Sequence, residues 1–162
     1  MKFVKAEHGD LPRIVEIYNQ IIPSRLATAD LEPVTVQDRE EWFASFDEHH
    51  PLWVIKDEKR IVGWVGLEPF YGRPAYCHTS EIAIYLDQEV RHRGVGKQAM
   101  EFVIAQLPKL EISAVVAYIF GHNQPSLKLF EHFGFKEWGR LPRVAELDGV
   151  QRDLVIMGRR FD

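Results

Sequence analysis

Apolar residues recur along the chain with two periods, and the switches between them divide it into elements. "MKFVKA" alternates and predicts an edge strand. In "GDLPRIVEIYNQII" the spacing turns helical, with Leu11, Ile14, Val15, Tyr18 and Ile21 or Ile22 on one face. Asp10 stands where a cap is needed, and Pro12 suits the first turn. "PSRLATADLEP" lacks a period, is bounded by prolines and reads as a loop. A second helix is expected from Thr35 through "DREEWFASFDEHH", with Asp38 three residues on as a capping-box analogue.

Strands follow. "LWVIKD" and "RIVGWVGLEPF" flank the turn-like "DEKR", and "AYCHTSEIAIYL" is the next; all are rich in β-branched and aromatic residues. A helix then runs from a glycine-containing segment to about Leu107, beside Pro108. "EISAVVAYIF" is almost wholly apolar, the mark of a strand buried on both faces. "NQPSLKLFEHF" predicts a short helix closed by Gly134. "FKEWGRLPRVAEL" and "QRDLVIMGRRF" predict a hairpin turning at "DG". The order β-α-α-β-β-β-α-β-α-β-β implies an α/β fold, a mixed sheet with helices on both faces. The strands on either side of the helix after the glycine segment should be parallel, joined by a right-handed crossover.

Composition narrows the function. A chain of 162 residues suits one domain, 1–162, with a sizeable core. A net charge of −4 argues against a nucleic-acid partner held by bulk electrostatics, so cations that cluster are local features. The single cysteine, Cys77, excludes an internal disulfide and fits a reducing cytoplasm. "KAEHGDLPR" interrupts any signal-peptide pattern, and no apolar run suggests a membrane partner. Histidines 8, 49, 50, 78, 92, 122 and 132 lack metal-ligand spacing, and no metal is expected.

The stretch "VRHRGVGKQAM" gathers Arg91, His92, Arg93 and Lys97 around Gly94 and Gly96, between a strand and a helix. Phosphate binding is the chemistry this suggests: glycines let the backbone approach an anion, and a helix N-terminus offers free amides. A Walker A loop fails, because Arg91 stands for its first glycine and Gln98 for its hydroxyl. "GVGKQA" fits a dinucleotide loop literally, but it lies past the chain's midpoint and the next strand ends in "FGHN" without an acid. A solvated turn is the plain alternative. The pattern [Q/R]-x-x-G-x-[G/A] is met from Arg91 to Gly96.

Here the sequence resembles the GNAT superfamily of acetyl-CoA-dependent N-acetyltransferases. "HNQPSLKLFEHFGF" resembles that family's later motif. "IYNQIIPSRLATADLEPVT", "EPFYGRPAY" and "HTSEIAIYLD" resemble its phosphinothricin acetyltransferase-like branch, over almost the whole chain. The resemblance implies a mostly antiparallel sheet of about seven strands, with a splayed parallel pair that binds acetyl-CoA. It implies cofactor contacts from Ile84, Tyr85 and Leu86 through the main chain, and from the loop Arg91, His92, Arg93, Gly94, Val95, Gly96 and Lys97. Asn123 and Ser126 join them by resemblance, although Asn123 also suits a helix cap.

Acetyl transfer to an amine needs a base, because the ammonium form cannot attack. Glu81 stands in the β-rich run "TSEIAIYL", where a carboxylate is either partly desolvated or on a solvent-facing strand. By resemblance it matches the catalytic glutamate and implies direct attack without a covalent enzyme intermediate. Phe130 stands where the family carries Tyr or His, and it has no proton for the leaving thiolate. The loop "PFYGRPAYCHT" should rim the acceptor pocket, with Phe70, Arg73 and Tyr76 as walls and Arg143 a further contact; surface-loop packing is the alternative for each. The expected acceptor is a small primary amine, an amino acid or an analogue such as phosphinothricin or methionine sulfoximine, and family likeness implies a homodimer. The competing functions are a non-catalytic acyl-CoA sensor and a protein N-acetyltransferase.

Overall fold

The computed structural model describes residues 1–162. Seven strands form one sheet: β1 (Lys2–Lys5), β2 (Leu52–Asp57), β3 (Arg60–Pro69), β4 (Thr79–Leu86), β5 (Ala114–Phe120), β6 (Lys136–Leu147) and β7 (Val150–Arg160). Their spatial order is β1-β2-β3-β4-β5-β7-β6, and only the β4–β5 pair is parallel. Four α-helices cover the two faces: α1 (Leu11–Ile21), α2 (Glu40–Ala44), α3 (Val95–Leu110) and α4 (Gln124–His132).

Strand alternation sends neighbouring side chains to opposite layers. Leu52, Val54 and Trp64 meet Leu11, Ile14 and Tyr18 of α1 on one face. Val65, Leu67 and Ile82 meet Met100, Val103 and Leu107 of α3 and Phe130 of α4 on the other. β5 contributes Val115, Ala117 and Ile119 to this second layer. The expected order, the single parallel pair and its crossover helix are all present.

Four local expectations need correction. Asp10 occupies the N-cap of α1 but does not cap it; its Oδ2 accepts the amide of Glu7 at 2.9 Å and closes a preceding 3-10 turn. Thr35 and Asp38 do form a reciprocal capping box, at 2.9 and 3.1 Å. The box opens a 3-10 turn over Gln37–Arg39, however, and the α-helix itself starts only at Glu40 and stops at Ala44, because Asp47 Oδ1 draws the amides of His49 and His50 into a turn. The third expected strand begins at Thr79, since Pro74–Tyr76 form a 3-10 turn instead. α3 runs past Leu107 to Leu110, with Pro108 in its last turn and Glu111 left-handed behind it.

Candidate active site

The site is built around β4. Glu81, Ala83 and Tyr85 face the α1–α2 layer, while Ser80, Ile82 and Ile84 face the α3–α4 layer. Pairing between β4 and β5 covers only Thr79 with Ala114, Ser80 with Val115 and Glu81 with Val116. Beyond Glu81 the strands part, so the β5-facing backbone of Ile82–Leu86 has no strand partner. The gap widens into a cleft of about 1070 Å³, lined by β4, β5, the 26–29 loop, the start of α3 and one side of α4.

At one end stands the glycine cradle. Gly94 is left-handed at φ 78°, and a side chain there would add strain while facing open space. The first-turn amides of Val95, Gly96 and Lys97 have no helical carbonyl behind them and are free to bind an anion. Arg91 donates from Nε and Nη2 to the Leu86 carbonyl, each at 3.3 Å, which fixes the loop to the end of β4. Asp87 anchors the same corner. Its carboxylate is 2% exposed and receives the Glu89 amide at 2.8 Å, Gln20 Nε2 at 3.3 Å and the Arg13 guanidinium. Burial pushes its pKa up, but these donors prevail and hold it below the usual carboxylate value.

A strap closes one side of the cleft. The carbonyls of Arg25, Leu26 and Ala27 each accept a side-chain donor, two from the turn before α4 and one from β4. His122 Nε2 reaches Arg25 at 2.8 Å, Asn123 Nδ2 reaches Leu26 at 3.2 Å and the Tyr85 hydroxyl reaches Ala27 at 3.1 Å. Farther along, Tyr18 bonds to Thr28 and Asp30. Asn123 has both ends of its amide in use, since its Oδ1 also accepts the Ser126 amide at 3.3 Å as the cap of α4.

Glu81 lines the cleft and accepts no hydrogen bond from the protein. Burial, and then the charge of Glu68 on β3, push its pKa up to about 7. Burial raises Glu68 as well, although Trp42 Nε1–H donating at 3.2 Å and the nearby Arg39 both oppose the rise. On β5, Tyr118 also lines the cleft; burial, a hydrogen bond with Tyr71 and the proximity of Glu81 push its phenol up to about 12. It therefore keeps its proton at neutral pH. Phe130 is 5% exposed and packs edge-on against Phe135, with ring centroids 5.0 Å apart. It belongs to the core and has no proton to give.

Most of the expected cofactor residues gather at this cleft: Ile84, Tyr85, Leu86, Arg91, His92, Gly94, Gly96, Lys97, Asn123 and Ser126 all line it. Arg93 and Val95 do not. Arg93 is exposed, and the Val95 side chain is buried against Ile55 and Val62, which leaves only its amide for the cradle. Phe70, Arg73, Tyr76 and Arg143 also lie outside the lining. Phe70 and Tyr76 pack on each other and on Tyr71, with centroids 4.5 to 5.9 Å apart. Arg73 is exposed in the same loop. Arg143 sits at a β6 bulge with φ 51°, its amide donating to Asp153 at 2.9 Å. His132 also lines the cleft, on the α4 stripe of Pro125, Lys128 and Leu129. Glu68, Tyr118 and the strap escaped the sequence reading.

The Acetyltransferase (GNAT) family matches residues 11–135, from the first residue of α1 to the end of the turn after α4. The chain belongs to the GNAT acetyltransferase family. YwnH of Bacillus subtilis (strain 168), which carries a provisional phosphinothricin acetyltransferase name, is 51% identical over 157 residues, 96% of either chain. The L-methionine sulfoximine/L-methionine sulfone acetyltransferase of Pseudomonas paraeruginosa is 27% identical over 95% of this chain and 91% of its own. A GNAT phosphinothricin acetyltransferase from Sinorhizobium meliloti, solved in complex with acetyl-CoA, superposes with a TM-score of 0.91 at 25% identity, covering 99% of this chain and 88% of that one. This GNAT chain is an N-acetyltransferase of the phosphinothricin acetyltransferase-like branch. The cleft fits the family's donor: free helix-terminal amides and Lys97 suit a pyrophosphate, and the unpaired edge of β4 suits an amide-bearing arm added like a strand.

Proposed function

We propose that this protein transfers the acetyl group of acetyl-CoA to the primary amine of a small molecule, an amino acid or an analogue such as phosphinothricin or methionine sulfoximine. Glu81 acts as general base in a direct attack. Its position carries the reading: it is the last residue of β4 paired with β5, it lines the cleft, and its pKa of about 7 suits a base at neutral pH. The acceptor enters on the α1–α2 side and its ammonium loses a proton to Glu81. The freed nitrogen then attacks the thioester carbonyl carbon, the C–S bond breaks with sulfur leaving as thiolate, and the second proton given up by the acylated nitrogen neutralises that thiolate to the coenzyme A thiol.

The cradle from Arg91 to Lys97 holds the pyrophosphate, with Ile84, Tyr85 and Leu86 offering main-chain groups to the arm. Asn123 acts by capping α4 and holding the strap, and Ser126 presents a hydroxyl to the cleft. The 70–78 loop remains the rim through which the acceptor passes. The protein works in the cytoplasm, consistent with its free, exposed Cys77. It functions as a homodimer, for which Trp138, Leu141 and Val144 on edge strand β6, with Val150 on β7, offer exposed apolar surface. A thiol-release assay over a panel of amines tests the activity. Turnover of amino-acid analogues is expected, and binding of acetyl-CoA without turnover of any amine would sink the proposal.

A further inference from the structure

Glu68 lies directly across from Glu81 in the antiparallel β3–β4 register. Cross-strand neighbours place their Cβ atoms about 5 Å apart on one face. The two carboxylates therefore project together on the α1–α2 side of the sheet. The next pair along that face is Gly66 with Ala83, which carries little bulk. Trp42 of α2 approaches from the helix layer and gives its indole N–H to Glu68 Oε1 at 3.2 Å. The Arg39 guanidinium lies over the Trp42 ring, 5.0 Å from its centroid. No protein group donates to the second carboxylate oxygen of Glu68, or to either carboxylate oxygen of Glu81.

These surroundings set the two carboxylates apart. Trp42 and Arg39 favour the charged form of Glu68, whereas Glu81 has only burial and a like charge beside it. Tyr118 on β5, the other ionisable group within reach of Glu81, stays neutral. Burial still raises Glu68 above its ordinary value, so geometry sets the roles: Glu68 is held by the Trp42 indole N–H, whereas Glu81 stands unbonded at the cleft and is the group that exchanges a proton.

We propose that Glu68 is a second acceptor-binding residue: its free carboxylate oxygen accepts one N–H of the incoming ammonium group while Glu81 removes the proton from another. This rests on Glu81 being the base. One proton moves from nitrogen to Glu81, Glu68 stays ionised, and the nitrogen lone pair formed by that transfer is held in a fixed direction. Such a site favours an acceptor that arrives as an aliphatic ammonium ion over a weakly basic aromatic amine.

The test uses the full chain, loaded with coenzyme A and carrying 13C at the glutamate side-chain carboxyl carbons, titrated with ethylammonium. Both the Glu68 and Glu81 resonances should respond and saturate together. In Glu68→Gln, which keeps an acceptor for Trp42, ethylammonium binding should weaken about tenfold, as loss of a hydrogen bond to a charged group implies. Glu81 should titrate at lower pH, and coenzyme A affinity should be unchanged. With an accepted aliphatic amine, KM should rise about tenfold while kcat changes less. A Glu68 resonance that does not respond to ethylammonium overturns the proposal, whether or not the enzyme shows turnover. Absent turnover by the wild type counts against the proposed function instead.

Discussion

Glu81 is paired with Val116 at the last rung of the β4–β5 ladder, so the candidate base stands where the two strands begin to part. That position exposes it to the cleft, while its strand partners Glu68 and Val116 leave it half-buried. Glu81→Gln should lower kcat by about 10²–10⁴-fold, the usual contribution of a positioned base, and leave acetyl-CoA affinity unchanged. In the wild type, kcat/KM should climb with pH and level off above about 7, because only ionised Glu81 can accept the proton. A pH–rate profile flat from 5.5 to 8, or equal turnover by the variant, would refute the role.

The same carboxylate carries a stability cost whose sign can be worked out. Its folded-state pKa of about 7 lies above the ordinary 4.5, so the fold prefers the protonated form. The favourable contribution is complete below the ordinary value and is lost as pH rises through about 7. Glu81→Gln should therefore melt close to the wild type at pH 4 and above it at pH 8. Thermal melts at the two pH values check this, and a variant less stable at pH 8 contradicts it.

Asp87 behaves in the opposite way. Its folded-state pKa is lowered, so its contribution is present above the ordinary carboxylate value and disappears as pH falls through the lower one. Asp87→Ala would leave Arg13 and Gln20 without their shared buried acceptor and free the turn before the glycine cradle. The expected loss is about 3 kcal/mol, at the lower end for a broken buried pair because Arg13 is partly exposed. Urea denaturation at pH 7 measures it, and the gap to the wild type should narrow in acid.

Gly63 pairs with Leu86, and a Cβ there would stand 2.9 Å from the Tyr85 carbonyl oxygen and 2.8 Å from Leu86 Cδ2. Backbone cannot yield cheaply, so β3 and β4 must separate at the end that lines the cleft. Gly63→Ala should cost about 1–3 kcal/mol. It should also weaken acetyl-CoA binding, measured by calorimetry, because Leu86 moves with β4.

What could be read in advance follows from how local each signal is. The element order and the Arg91–Lys97 cradle lie in contiguous residues, and Glu81 stands out as a charge within an apolar run. Glu68 does not, because "GLEPF" reads as a strand running into a polar turn. Its link to Glu81 is a sheet register, and its link to Trp42 crosses between layers. Tyr118 is hidden in "AVVAYIF", where an aromatic reads as core. Phe70, Arg73 and Tyr76 were expected at the cleft from proximity to Glu81 in sequence, yet the loop's aromatic rings pack on one another. The strap had no signature, since its carbonyls are the acceptors and any residue supplies one.

That strap can be tested separately from the helix it touches. Asn123 caps α4 through Oδ1 and holds the Leu26 carbonyl through Nδ2, and Asn123→Ser separates the two tasks. Serine caps about as well as asparagine but is too short to reach Leu26. Global stability should fall by only a few tenths of a kcal/mol from the helix terminus, while the amides of residues 26–30 exchange faster with solvent. Asn123→Ala loses both tasks and should cost about 1 kcal/mol more. Because Leu26, Ala27 and Thr28 form one wall of the cleft, both variants should bind acetyl-CoA more weakly. Hydrogen exchange in the serine variant that matches the wild type at residues 26–30 would show that Tyr18, Tyr85 and His122 hold the strap without Asn123.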